Sequence, residues 1–186
     1  MRKVVIFIMT SIDGYFEGPN GDLSWHNVDA EFNDFAAKQL DEAGVLLFGR
    51  RTYDLMARYW PSDMAVTDDP LIAGRMNTKS KIVFSRSMEK AEWNNTQLIK
   101  GNLEAEILKL KQQPGKDLLL SGSANLAVSL IRQRLIDEFR IMISPVLLGH
   151  GTILFDGIKD HLKLKLLKTR TFKSGNVLLS YINLVD

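Results

Sequence analysis

Apolar residues along this chain fall into short runs separated by stretches in which they recur every three or four positions. That alternation predicts strands and helices taking turns around a buried sheet. Runs of strand length occupy 3–10, 44–48, 81–84, 117–120, 138–143 and 177–184. Between the first two, residues 29–42 put Phe32, Phe35, Ala36 and Leu40, with Ala43 just beyond, on one helical face, and Asp29 is available to cap it. Two further helices are expected at 103–113, opened by Asn102 and stopped by Pro114-Gly115, and at 124–134, with Leu126, Leu130 and Ile131 as its apolar stripe. The last third changes character. Segments 139–145, 146–155, 162–172 and the run beyond Gly175 read as sheet joined by turns. Lys173-Ser174-Gly175-Asn176 has the residues of a hairpin turn, which predicts an antiparallel ending to an otherwise α/β chain.

Composition narrows the class without changing this picture. The 186 residues, 45% hydrophobic and 25% charged, suit one compact domain over 1–186 with a substantial core, and neither repeats nor a low-complexity linker divides them. A net charge of +2 with scattered lysines and arginines gives no nucleic-acid footprint. The run Val4-Val5-Ile6-Phe7-Ile8-Met9 is too short to span a bilayer and no small-residue cleavage site follows it, so the chain reads as soluble, without a membrane partner. The absence of cysteine excludes disulfides and thiolate chemistry and is compatible with a cytoplasmic location. His26, His150 and His161 are too widely spaced to suggest a metal site.

The segment Val45-Leu46-Leu47-Phe48-Gly49-Arg50-Arg51-Thr52 carries the most chemistry. A buried strand runs into a glycine, two arginines and a threonine at a helix start, where free backbone N–H groups and forked cations can hold phosphate. A dinucleotide suits that arrangement; ordinary solvated helix charge is the competing reading of Arg50 and Arg51. Leu120-Ser121-Gly122-Ser123-Ala124-Asn125 offers a second strand-to-helix turn, either a cradle of backbone N–H groups or a plain connection with Ser123 as cap.

The order of these segments resembles that of dihydrofolate reductases and of the related reductase domain of riboflavin biosynthesis, over nearly the whole chain. Ser11-Ile12-Asp13-Gly14-Tyr15 resembles the first strand-to-loop passage and Asp22-Leu23-Ser24-Trp25 the tryptophan loop over the nicotinamide. Gly49-Arg50-Arg51-Thr52-Tyr53 resembles the cofactor motif, and Val83-Phe84-Ser85-Arg86-Ser87 the strand end that reaches the adenosine phosphate. Leu135-Ile136-Asp137-Glu138-Phe139-Arg140 and Pro145-Val146-Leu147-Leu148-Gly149 are similar to the riboflavin-type branch.

The resemblance implies a three-layer α/β/α fold with a mostly parallel sheet and an antiparallel C-terminal hairpin. It implies NADPH as cofactor, held by Gly49, Arg50, Arg51, Thr52, Ser85, Arg86, Gly122, Ser123, Ala124 and Asn125. Ser121 and Ser123 depart from the consecutive glycines usual at the pyrophosphate turn. Trp25 and Tyr53 are implied at the substrate, although residues so placed are more often packing residues. For proton transfer the nearest carboxylates are Asp13, equally a turn residue, and Glu31, for which a solvated helix acid is the stronger reading. The activity implied is hydride transfer to a small heterocyclic or ribosylaminopyrimidine-type substrate, like that of 5-amino-6-(5-phosphoribosylamino)uracil reductase. Dihydrofolate reductase activity and a non-catalytic NADP-binding regulatory module are the alternatives. Pairing into a homodimer is also implied, with 141–148 as interface or as internal sheet.

Overall fold

The computed structural model describes residues 1–184. Its centre is an eight-stranded sheet built from β1 (Val4–Thr10), β3 (Ala43–Gly49), β4 (Ser80–Phe84), β5 (Thr96–Ile99), β6 (Asp117–Ser121), β7 (Glu138–Ile143), β9 (Leu164–Thr171) and β10 (Val177–Asn183). They lie in the order β5-β4-β3-β6-β1-β7-β10-β9. Every pairing from β5 through β7 is parallel, and β10 runs antiparallel to both β7 and β9. A separate two-stranded ribbon joins β2 (Tyr15–Glu17) to β8 (Thr152–Ile153).

Alternation along β1 divides the core in two. Val4, Ile6 and Ile8 face a cluster with Leu118, Leu120, Ala127 and Leu130, under the helices α5 (Leu103–Gln112) and α6 (Ala124–Arg132). Val5, Phe7 and Met9 face the opposite cluster with Phe35, Leu40, Tyr53, Ile72 and Met76. These come from α1 (Ala30–Glu42), α2 (Arg50–Tyr59) and α4 (Pro70–Thr78), with the short α3 (Asp63–Asp68) before α4. Helices on both faces of a mostly parallel sheet make the expected three-layer α/β/α fold.

Local chemistry explains the helix boundaries. Asp29, Ser62, Asp69 and Asn102 each accept a backbone N–H at the start of α1, α3, α4 and α5. The sequence reading of 146–155 as sheet needs correction. Only Thr152 and Ile153 are strand, because glycines 149 and 151 take positive φ (+71° and +140°), and at Gly151 a Cβ would stand 2.3 Å from the Glu17 carbonyl oxygen. Lys81, 1% exposed, donates its ammonium to the carbonyls of Met76, Asn77 and Lys79 at the end of α4, 4.4 Å from the centre of the Trp93 ring.

Candidate functional site

Sheet order locates the crevice. From β3 the chain enters α2 on one face and goes on to β4, whereas from β6 it enters α6 on the other face and goes on to β7. These departures diverge between neighbouring parallel strands, and a cleft opens outside the carboxyl ends at such a switch point. Gly49 and Gly122, expected on sequence grounds to approach a cofactor, stand on its two sides.

The two turns are stitched together. The Gly49 N–H donates to Ser123 Oγ at 3.0 Å, and a Cβ on Gly122 (φ +66°) would stand 3.3 Å from Thr52 Cγ2. Ser123 holds the N-cap position of α6 in the left-handed region (φ +58°), but its hydroxyl is given to Gly49 and caps nothing within the helix, so the simple-cap alternative does not describe this turn. Neither α2 nor α6 has a side-chain cap, in contrast to α1, α3, α4 and α5. Two helix N-termini therefore present uncapped N–H groups and positive dipole ends at one crevice, the arrangement that holds anions. Ala124 is buried and Asn125 exposed at the start of α6.

Arginines flank this cradle unequally. Arg50 donates to Ser87 Oγ at 2.8 Å and lies 3.5 Å from Asp54, which orients its guanidinium between α2 and the end of β4. Ser85 lies at that same strand end, its hydroxyl accepting from the Met88 N–H, and Arg86 is exposed beside it. Arg51 instead pairs with Glu17 at 3.0 Å, and the same carboxylate oxygen accepts from Thr152 Oγ1 at 2.8 Å. Arg51 thus ties α2 to the β2–β8 ribbon. Ser87 lies in the strand-end motif read from the sequence, whereas Glu17 and Thr152 carried no signal there, since only the long-range sheet order brings them to Arg51.

Tyr53 requires a correction. It is 4% exposed, its ring packs near Trp93 in the α2-side core, and its hydroxyl accepts the Trp93 N–H at 2.9 Å. A side chain so committed is core packing, not a substrate contact. Trp25 is half-buried in the loop before α1, donating its indole N–H to the Asp22 carbonyl and meeting the His26 ring edge-on. Burial holds His26 down to about 4, against a smaller opposing pull from Asp22.

Both candidate carboxylates are placed as anchors. Asp13 accepts the N–H groups of Leu148 and Gly149, and hydrogen bonding from Ser11 first, then from Gly149, brings its carboxyl down to about 2. Glu31 accepts the Lys173 N–H and an Arg170 guanidinium N–H, both at 2.9 Å, and these bonds hold it below the usual carboxylate range. In both, the hydrogen bonds favour the ionised form.

The mostly parallel sheet with helices on both faces is a fold shared with known proteins. The model of the RibD C-terminal domain matches residues 2–178, and the chain belongs to that family. Uncharacterized protein YyaP of Bacillus subtilis (strain 168) is 36% identical over 182 residues, covering 97% of this chain and 94% of the relative. A putative riboflavin biosynthesis protein from Shewanella sp. PV-4 superposes with a TM-score of 0.73 at 26% identity, covering 97% of this chain and 98% of that one. Dihydrofolate reductase from Enterococcus faecalis, solved with NADP(H), superposes with a TM-score of 0.65 at 16% identity, covering 98% and 97% respectively, which is a likeness of fold. A diaminohydroxyphosphoribosylaminopyrimidine deaminase/5-amino-6-(5-phosphoribosylamino)uracil reductase from Thermotoga maritima also superposes, with a TM-score of 0.70 at 14% identity over 98% of this chain and 56% of that one, again a likeness of fold. Among the described residues no helix is long and apolar enough to cross a membrane.

Proposed function

We propose that this protein is an NADPH-dependent reductase acting on a small heterocyclic substrate of the ribosylaminopyrimidine type. The observation that carries the reading is the pair of uncapped helix N-termini, α2 and α6, joined across the switch point by the bond from Gly49 to Ser123. The residues present fit a dinucleotide phosphate. The left-handed Gly122 leaves room beside Thr52 that a Cβ would fill, and hydroxyl and N–H donors surround that space.

In this reading, N–H groups of Thr52 and of Ala124 and Asn125 hold the pyrophosphate, while Arg50, Ser85 and Arg86 surround a 2′-phosphate. Arg50 is already oriented by Ser87. Arg51 acts through Glu17, holding the β2–β8 ribbon beside the cradle. The cofactor, when bound, supplies hydride. Trp25 covers the reacting end. Asp13 and Glu31 shape it by fixing the 148–149 loop and the hairpin, and because both stay ionised the proton comes from water. The reading includes a cytoplasmic setting and one folding unit, and self-association into a homodimer supported by Leu164, Leu166 and Leu167, exposed on the edge strand β9. Light scattering after size exclusion tests the last point.

The test of activity is NADPH oxidation, followed by absorbance, with 5-amino-6-(5-phosphoribosylamino)uracil and with dihydrofolate as acceptors. Turnover of the first and not the second is expected. Binding of NADPH without turnover of either would favour a regulatory NADP-binding module.

A further inference from the structure

The first turn of α2 carries its charges against the helix dipole. α1 and α5 open with acids, Glu31 in one and Glu104 and Glu106 in the other, which suit the positive end of that dipole. α2 opens instead with Arg50 and Arg51 and has no acid in that turn. Arg50 is paired with Asp54 one turn on, its Nε 3.5 Å from Oδ2, and within a helix a cation placed before its acid is the weaker of the two orders. Both side chains are about half exposed (53% and 41%), where ion pairs contribute little. Helix stability therefore does not account for this pair.

Arg50 is nevertheless held in a defined direction. Its Nη1 donates to Ser87 Oγ at 2.8 Å, while Asp54 stands at Nε beyond good hydrogen-bond length. Arg50, Asp54 and Ser87 all line an open cavity of about 830 Å³ between α2 and residues 87–94, so an anion can reach all three from solvent. A guanidinium has five N–H donors in a fixed fork, and these two partners occupy only part of it. The hydroxyl can therefore stay on Nη1 while the carboxylate at Nε is exchanged for another anion.

We propose that Asp54 is a specificity-determining residue of the cofactor site, its carboxylate competing with the 2′-phosphate of NADPH for the Arg50 guanidinium. The phosphate takes the place of Asp54 at Nε, and Ser87 keeps the guanidinium aimed throughout. A phosphate that accepts two parallel N–H bonds wins against a carboxylate held at 3.5 Å. NADH carries a hydroxyl at that position, which does not displace the acid, so Arg50 stays with Asp54 and adds nothing to NADH binding. The inference rests on the NADPH reading of the crevice. It adds the residue that limits how strongly the two nucleotides are told apart.

Calorimetric titration of the full chain with NADPH, NADH and adenosine 2′-monophosphate tests the exchange, in wild type, Asp54→Asn, Arg50→Ala and the double variant. Asp54→Asn is expected to tighten NADPH and adenosine 2′-monophosphate about threefold to fivefold, the size of an exposed ion pair that no longer has to be broken, and to leave NADH unchanged. In the Arg50→Ala background the same substitution is expected to leave NADPH affinity as it is, because the competition runs through the guanidinium. Weaker or unaltered NADPH binding in Asp54→Asn overturns the proposal. So does equal tightening of NADPH and NADH, or tightening of NADPH that persists without Arg50, which would be plain repulsion between the acid and the ligand. If the wild type binds neither NADPH nor NADH, the cofactor reading fails and adenosine 2′-monophosphate alone decides the exchange. Tightening in Asp54→Asn then upholds it, and no tightening or no binding overturns it.

Discussion

The hydroxyl of Ser123 accepts the backbone N–H of Gly49 at 3.0 Å, joining two strand-to-helix turns 74 positions apart in the chain. Ser123 holds this bond from a left-handed backbone (φ +58°) that most side chains avoid. Ser123→Ala keeps the backbone cost and loses the bond, so a loss of about 1 kcal/mol in urea unfolding is expected. Ser123→Gly loses the same bond but relieves the backbone, and is expected to be the less destabilising of the two. A larger loss for glycine than for alanine would mean that the hydroxyl contact is not what sets the turn.

Tyr53→Phe separates packing from binding. The substitution leaves the buried Trp93 N–H without an acceptor, at an expected cost of about 1–3 kcal/mol. Because Tyr53 lies in the core, affinity for NADPH and KM for the acceptor should not change. A KM effect without a stability effect would return Tyr53 to the substrate site.

Lys81 secures the end of α4. Lys81→Met leaves three carbonyl oxygens without their charged donor, and thermal or urea unfolding is expected to show a loss of about 2–3 kcal/mol. Stability equal to wild type would show that burial of the ammonium cancels its bonds.

Acid should loosen the loop before α1. His26 titrates at about 4 in the folded chain and near 6.5 when unfolded, so between these values the unfolded state binds more protons. Its contribution to stability is therefore present above pH 6.5 and lost as pH falls through about 4. Glu31, held below its ordinary 4.5 by Lys173 and Arg170, contributes stability above that value and loses it at lower pH. The stability of His26→Gln should decline less steeply between pH 6.5 and 4, and that of Glu31→Gln less steeply below 4.5. Unfolding curves across this range that run parallel to wild type would contradict both assignments.

Much of this arrangement was legible in the residues themselves. Apolar runs and capping residues located six strands and three helices, because local periodicity and local hydrogen bonds determine those elements. Strand β5 escaped notice: its four residues include Thr96 and Gln97, and as an edge strand it needs little apolar surface. Gly49 and Gly122 announced strand-to-helix turns, yet the bonds from Gly49 to Ser123 and from Arg50 to Ser87 depend on which strands become neighbours, which no local pattern encodes. Tyr53 follows the Gly49 motif directly, but the phase of α2 turns it inward. The carboxylates of Asp13 and Glu31 were visible, whereas the N–H groups that hold them ionised come from residues about 135 to 142 positions away.

Titration of the protein with NADPH and NADH, following tryptophan emission, in wild type and in Arg50→Ala, tests the cofactor cradle most directly. Tighter binding of NADPH than of NADH is expected, with most of that preference lost in Arg50→Ala, since the oriented guanidinium meets the 2′-phosphate that only NADPH carries. Absence of binding to either nucleotide, or an unchanged preference in Arg50→Ala, would contradict the account.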